Sequence, residues 1–70
     1  MNEKTAIQVL ARSKQITADL DDMVRLVMES HLGEEEFNSF RRAVGRVMGE
    51  LHDEVLTPLY ERFPHLKSLG

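Results

Sequence analysis

Two apolar stripes, each recurring at three- and four-residue steps and separated by one short breaker, set the main limit on what this chain can fold into. In the first stripe Ala6, Val9, Leu10, Ile16, Leu20, Met23, Val24 and Val27 line one side of a helix. In the second, Phe37, Phe40, Val44, Val47, Met48, Leu51, Val55, Leu59 and Phe63 do the same. The pattern nowhere alternates with the two-residue period of a half-buried strand. An all-α chain is therefore expected, with helix 1 over about residues 3–31, a turn at about 32–34 and helix 2 over about 35–57.

Local signals fix the ends. Asn2 is a good N-cap, and Glu3 suits the positive end of the helix dipole. Gly33 is expected to adopt the left-handed conformation that closes the first helix, with His31 in its last turn. Glu34, Glu35 and Glu36 then open the second helix, where their charge is favourable. Pro58 removes a backbone donor late in the second stripe and disfavours helical geometry at Thr57. It predicts a kink, or a stop at which Thr57 caps a short third helix, followed by a tail over about 58–70.

A connection this short makes the helices antiparallel, giving a helical hairpin about 40 Å long at 1.5 Å per residue. The chain has 70 residues, which makes one small domain (1–70) with barely enough core to hold itself together. It has no cysteine, so neither disulfides nor thiolate metal sites can supply the missing stability. The stripes are also broader than a two-helix seam needs, with Ile7, Ala11 and Ala18 widening the first and Leu56 and Tyr60 the second. Both observations point to a homodimer in which two hairpins form a four-helix bundle.

Gly45 and Gly49 lie one turn apart inside the second helix, where each costs about 0.5–1 kcal/mol relative to alanine. With His52 and Leu56 they fall on one flank of the stripe. Small residues at this spacing let helix axes approach closely, so Gly45, Gly49, His52, Leu56, Ala11 and Ala18 are the candidate dimer interface.

Polar residues interrupt the first stripe at Ser13, Thr17 and His31. Counted from the turn, Ser13 and Thr17 stand level with the His52 region, so Ser13, Thr17 and His52 form a candidate buried polar layer. Such a layer fixes register, or in a sharper version holds a small ligand or metal. No Glu-x-x-His pair is present, the three histidines are far apart, and neither a nucleophile elbow nor a phosphate loop occurs. The expectation is a non-enzyme with no cofactor and no metal.

The formal net charge of −3 gives no general attraction to nucleic acid. Arg41, Arg42 and Arg46 are the densest basic group, but Glu50 stands four residues after Arg46, as in an ordinary solvated helix face. No apolar run suits a signal peptide or a membrane span, so a soluble, cytoplasmic protein is expected. Tyr60, Phe63 and Leu66 are the candidate contacts for a protein partner, on the condition that they are exposed.

"EKTA" at Glu3–Ala6, with "LHD" at Leu51–Asp53, "LY" at Leu59–Tyr60 and "RF" at Arg62–Phe63, resembles the Rop family of plasmid RNA-binding regulators. The resemblance implies a four-helix bundle that grips paired RNA loops with the first helices of both subunits. Arg12 falls near the position of that family's RNA-facing aromatic residue, and the two glycines and Pro58 depart from its pattern. Two functions follow as expectations: a homodimeric interaction or regulatory module that binds a protein, or an RNA-binding hairpin dimer discriminated by Arg12 and Lys14.

Overall fold

A computed structural model describes residues 1–30 and 33–69, and no strand occurs among them. The first helix, α1, spans Glu3–Glu29. The second, α2, spans Glu34–Leu51 and runs on through a π-helical turn, His52–Leu56, into α3, Thr57–Arg62. A 3-10 turn, Pro64–Leu69, ends the described chain. The whole is an antiparallel hairpin measuring 45 × 18 × 16 Å.

Several ends form as their residues dictate. Asn2 Oδ1 accepts a hydrogen bond from the Thr5 backbone N–H at 2.8 Å, which caps α1. The three glutamates occupy the first turn of α2. The other end of α1 differs from expectation. It closes on Ser30, whose N–H reaches the carbonyls of Leu26 and Val27 and whose hydroxyl donates to Val27 O at 2.6 Å. Gly33 has φ −55° and ψ 150° and serves as the N-cap of α2, so it does not take the left-handed conformation expected of it. His31, expected in the last turn of α1, lies outside the described residues.

Pro58 neither stops the helix nor leaves Thr57 as a side-chain cap. Instead the ladder widens one turn earlier, and the Thr57 N–H bonds to His52 O, five residues back. A proline ring clashes with the carbonyl four residues before it and offers that carbonyl no donor. The π turn moves those groups aside and lets helical geometry continue through Thr57, with φ −60° and ψ −49°. The real break comes at Phe63, with φ −129° and ψ 72°, where the following Pro64 forbids helix.

That break folds the tail back. Leu66 packs into a closed core with Ala6, Leu10 and Leu59, and Leu56, Tyr60 and Phe63 cover its edges. His65 pairs with Glu3, and the Lys14 ammonium donates to the Leu69 carbonyl, so both ends of the tail are held to α1. The fully closed core thus sits at the tail end of the hairpin. Along the rest, among the described apolar residues only Val44 is buried, and the remaining stripe residues are half-covered or exposed.

Candidate functional site

The hairpin has two unequal long faces. On α1, Val9, Ile16 and Met23 recur every seven residues along one flank, with Leu20 and Val27 beside them. On α2, Phe40, Ala43 and Val47 form the corresponding flank. A groove at the tail end joins Val9 to Glu54, Val55 and Pro58. Glu54 stands two helical turns beyond Val47, so the Val9 line and the Val47 line share one face of the hairpin. On that face Ile16 is 46%, Met23 44%, Val47 52% and Val55 38% exposed. Isolated exposed aliphatics are common; here four are gathered on one face.

Gly45, Gly49 and His52 lie on the other flank of α2, and Ala11 and Ala18 lie on the α1 flank turned away from Ile16. All five are exposed, whereas Leu56 is half-buried against the closed core. A Cβ added at Gly45 or Gly49 would meet no heavy atom within 4 Å. Nothing among the described residues therefore requires these glycines. Exposed large apolar side chains occur on both flanks, Ile7 beside Ala11 and Ala18, and Ile16, Met23, Val47 and Val55 on the opposite one.

The candidate polar layer divides in the same way. Ser13 is buried at 3% exposure, and Thr17 is half-buried, its hydroxyl donating to the Ser13 backbone carbonyl at 3.0 Å. This is the local back-bonding that hydroxyls make inside helices, and among the described residues no buried side-chain polar atom lacks a partner. His52 does not join them. Its ring faces solvent, with Nδ1 3.2 Å from Asp53 Oδ1, because the start of the π turn carries it on the glycine flank. It borders a small groove with Thr57, Tyr60, Glu61 and Lys67.

The condition set for the partner-contact residues is not met. Leu66 is fully buried, and Tyr60 and Phe63 pack against the closed core. The reason is the fold-back at Pro64, which turns this end of the stripe onto α1. Phe63 makes an edge contact with His65, ring centres 6.5 Å apart, and lies 5.8 Å from the Arg62 guanidinium carbon.

No set of three His, Asp or Glu side chains among the described residues is placed to hold a metal ion. The basic residues Lys4, Arg12 and Lys14 are exposed, but α1 also presents Asp19, Asp21 and Asp22, and Arg25 pairs with Asp22 at 3.3 Å. This mixture builds no acid-free surface for phosphates. No described helix is long and apolar enough to cross a membrane.

The open face escaped the sequence reading because Ile16, Met23 and Val47 were counted into the core stripes. In the sequence this face is a seven-residue repeat, Val9, Ile16 and Met23, within a broader stripe. No family model matches the chain, and no curated protein or solved structure matches it either.

Proposed function

We propose that this chain is a non-enzymatic interaction module that works as a homodimer, two hairpins closing on their Ile16–Val47 faces into a four-helix bundle whose outer surfaces meet a protein partner. The observation that carries this reading is the uncovered aliphatic face itself. Ile16, Met23, Val47 and Val55 remain open, while the closed core of Ala6, Leu10, Leu59 and Leu66 occupies only the tail end. A helix pair with one uncovered apolar face is half of a bundle, and a second pair buries what the first cannot. The footprint also suffices: a face 45 Å by 18 Å is on the order of the 800 Å² per partner found in stable interfaces.

Sedimentation equilibrium on the native chain tests this. A mass twice the 8.1 kDa of one chain is expected, with dissociation when Ile16 and Val47 are both replaced by aspartate. A folded native monomer at micromolar concentration overturns it.

A further inference from the structure

We infer that the open face receives a second copy of this chain in one register: antiparallel, related by a two-fold axis perpendicular to the helices and passing at the level of Ile16 and Val47. The inference rests on the homodimer reading above and adds how the two copies are aligned on that face.

Two kinds of two-fold axis can stack the hairpins face to face. An axis parallel to the helices sets Ile16 of one copy against Val47 of the other and puts both turns at the same end. There Glu34, Glu35 and Glu36, which open α2 in one copy, come to the same end as those of the other, and like charges at one end disfavour that axis. A perpendicular axis separates the two acidic turns and sets each against the other copy's tail end, where the groove beside Val9 and Pro58 carries one acid, Glu54, and one base, Arg62. Glu36 borders the same face at the turn end, with Phe40 and Ala43. Glu36 precedes Val47 by eleven residues and Pro58 follows it by eleven, one turn from both Glu54 and Arg62, so Glu36 meets a mixed-charge end and not a second acidic turn.

The first helix carries the same symmetry. Val9 and Met23 lie seven residues either side of Ile16, so an antiparallel copy centred there sets Ile16 against itself and Val9 against Met23. Arg12 and Asp19, both exposed on the flank beside this line, lie four residues before and three after Ile16. In the antiparallel copy Arg12 therefore comes level with Asp19 of its mate, twice per dimer. Charge at the turn, charge along α1 and the centring of the apolar line all favour the same axis.

Because the chain has no cysteine, single-cysteine variants test the alignment directly. A disulfide forms only where Cα atoms come within about 7 Å, so it reports facing positions. I16C, V47C and G49C would each be oxidised with copper phenanthroline, after sedimentation has shown each to be a folded dimer. Most of the I16C and V47C chains are expected to become covalent dimers, while G49C stays unlinked. Linked G49C with unlinked I16C and V47C would overturn the choice of face. An I16C and V47C mixture that links far more than either alone would overturn the perpendicular axis. In both cases the homodimer reading survives, whereas a monomeric native mass removes that reading and this alignment with it.

Discussion

Leu66 packs against Ala6, sixty residues earlier in the chain, and both are completely shielded from solvent. This contact, flanked by the Glu3–His65 pair, closes the tail end of the hairpin and holds the start of α1 to the end of the chain. Leu66→Ala is expected to destabilise the fold by about 2–4 kcal/mol, the cost of removing a buried leucine and leaving a cavity. Leu69→Ala, at a position 53% exposed, should change stability by less than about 0.5 kcal/mol. Urea denaturation followed by circular dichroism separates the two, and equal effects would show that the tail is not part of the core.

The glycines make an opposite prediction. With open space around both Cβ positions, Gly45→Ala and Gly49→Ala should each stabilise the chain by about 0.5–1 kcal/mol and leave its solution mass unchanged. The gain comes from restricting the unfolded chain, so it needs no new contact. A dimer lost in either variant would place the interface on the glycine flank.

What the sequence made legible was local. The cap at Asn2, the acidic first turn of α2 and the helical course of both stripes depend on neighbours within a turn or two, and each formed as its residues dictate. Gly33 takes a different role, the extended N-cap of α2, while Ser30 closes α1 with its N–H and its hydroxyl on Val27 O. Leu66 could not be placed, since periodicity does not reveal a contact made after a chain reversal. The side of each helix left open was also hidden. A helical wheel gives two flanks per helix, and only the assembled hairpin pairs the Val9 flank with the Val47 flank.

Pro58 shows the same division. Its lost donor was evident, but the response to it, a π turn that keeps the helix going, depends on where Leu59 and Leu66 must land. Removing an ordinary helix-interior proline gains about 3 kcal/mol. Pro58→Ala should gain less than about 1 kcal/mol, because closing the π turn to α geometry would rotate every later residue by about one position and swing Leu59 off Ala6 and Leu10. Thermal unfolding of the variant checks this, and a full gain would mean that the proline alone imposes the widened turn.

The Arg12 and Asp19 pair supplies a test of alignment that no structural role within one chain can mimic. Arg12 has no ion-pair partner among the described residues, and the Asp19 carboxylate accepts only the Gln15 side-chain amide at 3.0 Å, so neither holds the hairpin together through charge. Arg12→Glu should weaken dimerisation by about 1 kcal/mol, two facing pairs turning repulsive, and Asp19→Arg should do the same. The double variant restores opposite charges across the axis and should recover most of the native affinity, with all differences shrinking as salt is raised. Sedimentation velocity over a dilution series reads each dissociation constant. Losses that simply add in the double variant would mean that the two residues do not face one another, and the register centred on Ile16 would have to be abandoned.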